Sequence, residues 1–221
     1  QAHIGEVGSL EAIARAKAEL VTALPATGFA ILNNDDENVR SMRFDTSAHV
    51  ITYGLREGSD VRGETVSVNV DGSTTFDLVH GNDRHTIHLP LLGVHNVSNA
   101  LAAAAAGLAV GMTLRVIAEA LERVTSKSRW RMESTELPSG VTVINDAYNA
   151  NPTSVTAALD ALATLPVDGR RIAVLGAMRE LGEHSDEAHA AVGRHAAALG
   201  IDVLLDRKST RLNSSHGYIS Y

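Results

Sequence analysis

The stretch Val141-Thr142-Val143-Ile144-Asn145-Asp146-Ala147-Tyr148-Asn149-Ala150-Asn151-Pro152 runs from a short apolar segment into a cluster of Asn, Asp and Pro. A brief apolar run bounded by turn formers reads as a buried strand, Val141 to Ile144. The period then becomes helical from Ser154 to Leu165, and strand and helix alternate onward: strand Arg171 to Leu175, helix Ser185 to Leu199, strand Val203 to Leu205. Strands separated by helices of this length require parallel pairing and right-handed crossovers, so this half is expected to be doubly wound α/β. Ligands in such sheets bind at the carboxyl ends of strands. Asn145-Asp146 and Gly176-Ala177-Met178 occupy such ends.

Toward the amino end, Leu10, Ile13, Leu20, Val21 and Leu24 keep one helical face, with Ser9 as a possible N-cap. Phe29 to Leu32 and His49 to Tyr53 read as buried strands. Between Val61 and Leu89 the period falls to two: Val66, Val68 and Val70 alternate, Asp71-Gly72 marks a hairpin, and Phe76, Leu78, Ile87 and Leu89 continue the pattern. That predicts an antiparallel meander. Helices are expected over 96–110 and, after a Thr113 cap, 114–124, with a domain boundary in Thr125-Ser126-Lys127-Ser128. The expected domains are therefore 1–127 and 128–206. From Arg207 to Tyr221 the apolar period stops, and the segment resembles a vector-derived, non-native tail.

Composition narrows the classes of function. A net charge of −7 argues against nucleic-acid binding, which needs clustered Lys and Arg, but leaves small anions as ligands. The absence of cysteine excludes disulfides, thiolate metal sites and a cysteine nucleophile. No apolar run is long enough to insert in a membrane, and the first residues lack the pattern of an export signal, so a cytoplasmic protein is expected.

Three constellations can carry chemistry. His3 stands where a strand would end and Lys17 lies fourteen residues on. They read either as surface residues or as a Mg2+ and phosphate site, in which a lysine carbamylated by CO2 presents the oxygen that magnesium prefers. Asn96 and Asn99, spaced i, i+3, share a helix face on which two amides can read a purine edge, unless Asn96 is merely an N-cap. The loop Asn145 to Pro152 carries an acid, a tyrosine and several amides directly after a strand. It is either a ligand loop or an ordinary polar turn. Upstream, Arg131 is a phosphate clamp or an unremarkable strand-edge arginine.

Taken in order, Ala2-His3-Ile4, Ala16-Lys17-Ala18-Glu19, Leu32-Asn33-Asn34-Asp35-Asp36, Gly93-Val94-His95-Asn96-Val97-Ser98-Asn99-Ala100, Arg131-Met132-Glu133 and the Asn145–Pro152 loop resemble the Mur ligase family over residues 1–205. Tyr148-Asn149-Ala150-Asn151-Pro152 and Met178-Arg179-Glu180-Leu181-Gly182 are most similar to its D-alanyl-D-alanine-adding branch. The resemblance implies the C-terminal part of a central ATPase domain followed by an incomplete, Rossmann-like C-terminal domain. It also implies an ATP-dependent amide ligase of peptidoglycan precursor synthesis, joining D-alanyl-D-alanine to UDP-N-acetylmuramoyl-tripeptide through an acyl phosphate.

By the same resemblance His3 binds Mg2+, and Lys17 is the lysine that is carbamylated in several relatives. Asn96 and Asn99 hold the adenine of ATP, Arg131 faces its phosphates and Asp146 its ribose. Tyr148, Asn149 and Asn151 are assigned to the nucleotide or the incoming dipeptide. The family's Gly-rich phosphate loop ending in Gly-Lys-Thr or Gly-Lys-Ser does not occur in these residues, nor does its amino-terminal UDP-binding domain, so the chain by itself is expected to be inactive. The rival readings are a sister enzyme such as folylpolyglutamate synthase, without the Tyr148–Pro152 string, and a nucleotide-binding module without turnover.

Overall fold

A computed structural model describes residues 10–125 and 130–206. His3, the expected boundary at 127/128 and the segment 207–221 lie outside the described residues. Helix α1 (Leu10–Thr22) turns Ala14, Ala18 and Val21 toward Ala30, Leu32 and Met42. Strand β1 (Phe29–Asn33) comes next, then the short α2 (Glu37–Ser41), capped where Asp36 accepts from the Val39 amide, and then β2 (His49–Gly54).

The expected meander is β3 (Val61–Val68), β4 (Thr74–His80) and β5 (Asp83–Leu89). It does not stand apart from the parallel strands. The five strands form one sheet in the order β1-β2-β3-β4-β5, parallel through β3 and antiparallel beyond. A strict period of two from Val61 would turn Val66 and Val68 outward, but the ladder slips between Glu64 and Ser67, where Thr65 has φ 51°, so that Val66 packs against the core and Val68 is partly covered while Thr65 and Ser67 are exposed. Such a bulge adds a residue to one strand and re-aims the side chains beyond it. Val70 is 80% exposed in the hairpin that Asn69 and Ser73 close, a departure from the alternation expected of it.

Two helices cover one face of this sheet: α3 (His95–Ala109), the expected Ala-rich helix, and α4 (Leu114–Leu121), capped by Thr113 as its sequence predicts. Phe76, Leu78, Ile87, Val61, Val97 and Leu101 are almost wholly buried between helices and sheet. The approach is close at Gly63, where a Cβ would stand 2.8 Å from Leu55 Cδ2 and 3.1 Å from Leu101 Cδ1. Small residues along α3 (Ala100, Ala104 and Ala105) permit that distance. On the uncovered face Arg84 donates to Asp77 and Glu64, and Arg62 also donates to Glu64, tying the three antiparallel strands together by charge.

The second unit begins with a strand that sequence reading did not find. β6 (Glu133–Glu136) pairs antiparallel with β7 (Thr142–Asn145), so the Val141–Ile144 strand enters a hairpin. Its residues, Glu-Ser-Thr-Glu, are all exposed and have no apolar period to read. Next come α5 (Pro152–Thr164), β8 (Ile172–Leu175), α6 (Ser185–Ala198) and β9 (Val203–Asp206). The β8–α6–β9 unit is the parallel crossover that the alternation predicts. Leu159, Ala173, Met178, Leu181, Val192 and Ala196 make its core, and the Asp160–His195 contact at 2.7 Å joins α5 to α6. Ile172, Val174 and Leu205 point the other way and are 46–70% exposed.

Leu101 sits where α3 touches both Gly63 and the buried face of the sheet. Leu101→Ala is expected to cost about 2–5 kcal/mol, read as a fall in the denaturant midpoint at unchanged slope.

Candidate nucleotide site

Gly93 takes φ +91°, a backbone region open to glycine, and starts α3 with Val94 as the cap residue. Asn96 is therefore inside the helix and not its N-cap. Its side-chain amide donates to Leu92 O at 2.9 Å, and its oxygen accepts from Asn99 Nδ2 at 3.0 Å. The two amides share a face as their spacing predicts, with unequal tasks. Asn96 holds the entry loop against the helix, while Asn99 is the exposed member.

The β7–α5 loop, residues 146–151, is fastened to the segment before β6. Asp146 Oδ1 accepts from the Met132 amide at 3.0 Å, and the Tyr148 amide donates to Trp130 O at 3.1 Å. The Arg131 guanidinium lies 4.2 Å from the centroid of the Tyr148 ring, a cation–π contact. Trp130 and Met132, on either side of Arg131, have φ of 63° and 48°. Non-glycine residues there store backbone strain, and strain of this kind concentrates at ligand sites. Neither residue stands out in the sequence, because no motif marks a left-handed tryptophan or methionine.

The two halves of the site meet. Ala161 Cβ of α5 lies 3.5 Å from where a Cβ on Gly93 would be, and Leu165 packs so near Gly72 that a Cβ there would stand 2.6 Å away. His95, overlooked as a site residue, is next to Asn96 on this seam. Burial of part of its ring holds the imidazole below its usual range, and the Asp146 carboxylate, drawing it back up, only partly offsets this. The Asp146 carboxylate is thus near enough to act on His95 electrostatically, where α3 begins and β7 ends.

Other expected site residues are placed differently. Asn151 is the N-cap of α5, in a reciprocal capping box with Ser154, so its oxygen serves the helix as the turn reading has it. Asn149 Oδ1 accepts from the Ala150 amide at 2.9 Å, also a local turn contact. Lys17 is exposed on α1, whose apolar face packs on β1 and the turn after α2, and the structure does not bring it to the cluster around Asn99 and Asp146. Among the described residues no three His, Asp or Glu side chains are grouped to hold a metal. In the Leu32–Asp36 motif the Asp35 carboxylate accepts from the Leu55 and Arg56 amides, and a Cβ on Gly54 would collide with it at 2.6 Å. Asn34, buried, is bonded to Ser59 and Arg43, so this motif is spent on joining the ends of β1 and β2.

Residues 1–107 match the Mur ligase middle domain, and residues 130–211 match the Mur ligase, glutamate ligase domain. The chain belongs to the Mur ligase family. Within it, the chain is 43% identical over 209 residues to the UDP-N-acetylmuramoyl-tripeptide–D-alanyl-D-alanine ligase of Mycobacterium bovis, covering 92% of this chain and 41% of that enzyme. The crystal structure of MurF from Acinetobacter baumannii superposes with a TM-score of 0.84 at 33% identity, covering 92% of this chain and 44% of that one. MurF from Thermotoga maritima, solved in complex with ADP, shares the fold with a TM-score of 0.78 at 24% identity, over 93% of this chain and 50% of that one. This Mur ligase chain spans less than half the length of the curated relatives it matches. No helix among the described residues is long and apolar enough to cross a membrane.

The His95–Asp146 juxtaposition has a measurable sign. An NMR titration should give His95 a midpoint below that of an exposed histidine, and Asp146→Asn should lower it further, since the carboxylate is what holds it up. A rise or no change in the variant would mean that the Asp146 charge does not act on His95.

Proposed function

We propose that the chain is the ATP- and amine-facing portion of a cytoplasmic ligase that joins D-alanyl-D-alanine to UDP-N-acetylmuramoyl-tripeptide. The observation that carries this reading is the seam between the start of α3 and the β7–α5 loop. It brings together a bonded amide pair, Asn96 with the exposed Asn99, a carboxylate, Asp146, that acts on neighbouring His95, and a guanidinium stacked on an aromatic ring, Arg131 on Tyr148. Those groups suit a purine edge, a ribose diol and phosphate oxygens. The identity to enzymes named for this reaction supports the choice of substrates. The division at 127/128 belongs to the same proposal, the first part holding the adenine and the second closing on ribose and phosphates.

In the reaction, the tripeptide carboxylate attacks the γ-phosphorus of ATP and ADP departs, leaving an acyl phosphate. The dipeptide amine then attacks the acyl carbon, loses a proton and expels inorganic phosphate. This chain contributes placement and charge: Asn99 fixes the base, Asp146 the sugar, and Arg131 neutralises phosphate oxygens as charge redistributes. Mg2+, when bound, would supply neutralisation of phosphate charge. It needs only one or two protein oxygens because it keeps water and takes phosphate oxygens as ligands. Exposed Lys17 fits that limited role if its amine adds CO2 to give a carbamate and a proton, with His3 as the second ligand.

Two measurements test the reading. ADP binding to the 221-residue chain by calorimetry should weaken about tenfold in Asn99→Leu, the loss of about one hydrogen bond, with little change in stability because Asn99 is exposed. Unaltered binding would remove Asn99 from the site. For Lys17, in a ligase carrying this sequence with a phosphate loop, Lys17→Ala should lose most activity and recover part of it in millimolar acetate but not in methylamine. Recovery with the amine alone would make Lys17 a simple cation.

A further inference from the structure

The segment Gly176–Gly182, between β8 and α6, is more firmly fixed than a surface loop needs to be. Met178 and Leu181 are both 5% exposed and belong to the core of the second unit, while Arg179 and Glu180 between them are exposed. Glu180 takes φ +62° and Gly182 φ +57°, so the chain reverses sharply around two buried anchors. The Met178 amide donates to His189 Nε2 at 3.0 Å. Nδ1 of the same ring lies 2.7 Å from the Ser185 carbonyl, to which it can only donate. One tautomer satisfies both bonds, with the proton on Nδ1, and it is neutral.

This segment leaves the carboxyl end of β8, where parallel α/β sheets bind ligands. Ala150 of the β7–α5 loop packs on the same Met178–Leu181 cluster, so the segment borders that loop of the candidate site. We propose that it binds the incoming amine substrate as a small zwitterionic dipeptide, with Arg179 taking the carboxylate and Glu180 the ammonium, and that His189 is the positioning residue holding both. The inference rests on the ligase reading above. Opposite charges on adjacent residues, held by buried flanks and a left-handed turn, match a ligand with one charge of each sign separated by a peptide unit. A guanidinium suits a carboxylate because it can donate two parallel hydrogen bonds. Glu180 near the ammonium also places an acceptor where the amine must shed a proton.

The experiment measures binding of D-alanyl-D-alanine and of ADP to the 221-residue chain, each alone. Two controls lack one charge: N-acetyl-D-alanyl-D-alanine and the dipeptide C-terminal amide. The dipeptide should bind about tenfold more tightly than either control. Arg179→Gln should abolish the preference over the amide, and Glu180→Gln the preference over the N-acetyl form. His189→Phe keeps the ring volume without its nitrogens and should weaken the dipeptide about tenfold with ADP unchanged. His189→Gln, which restores an acceptor near Nε2, should recover part of that loss. In the unaltered chain, 15N NMR should show His189 with its proton on Nδ1. A chain that binds ADP but not the dipeptide, or whose dipeptide binding ignores Arg179→Gln and His189→Phe, overturns this proposal and leaves the ligase reading standing. A chain that binds neither ligand overturns both.

Discussion

The close approach of α3 to the sheet is the constraint on which the candidate site depends. Gly63 has no Cβ, and the inward residues of α3 are mostly alanines, so the helix lies against β2 and β3 with Leu101 and Val97 in the gap. Larger residues on either side would lift the helix. His95, Asn96 and Asn99 would rise with it, away from the β7–α5 loop. The placement of the candidate site is thus set by how small the buried residues are at one contact, within about a turn and a half of Asn96 and Asn99.

Sequence periodicity made some of this legible. The Ala-rich α3, the Thr113 cap of α4 and the β8–α6–β9 crossover all have a strong apolar period, and they are present in the structure. β6 escaped because Glu133-Ser134-Thr135-Glu136 has no buried face, and β7 was then assigned to a parallel sheet when its hydrogen bonds go to that polar strand. The bulge at Thr65 was equally silent, since the Val66–Val68 alternation reads the same with or without the extra residue, although it is the slip that puts Val66 on the side of the core.

The site shows the same division. Asn96, Asn99, Arg131, Asp146 and Tyr148 were readable as candidates because polar residues at a helix start or after a strand stand out against apolar surroundings, and the structure pairs Asn96 with Asn99 and Arg131 with Tyr148. Asn151 was indistinguishable from its neighbours until the capping box gave it a different task. His95 and His189 could not be found by spacing, because their importance lies in partners distant in sequence: Asp146 for one and the Met178 amide for the other. Strain at Trp130, Met132 and Glu180 is likewise a property of the backbone and leaves no trace in residue type.

The open face of β8 and β9 bears on how the chain comes apart. Two parallel strands with Ile172, Val174 and Leu205 in water bury apolar area on one side only, against α5 and α6. An isolated pair of strands is marginal in water, and parallel pairing is slightly weaker per residue than antiparallel. The five-stranded sheet, with Phe76, Leu78 and Ile87 sealed beneath two helices, has no such weakness. Amide exchange should therefore be graded along the chain. Protons of β8 and β9 would exchange through local opening, while those of β4 wait for the unfolding of the whole first unit.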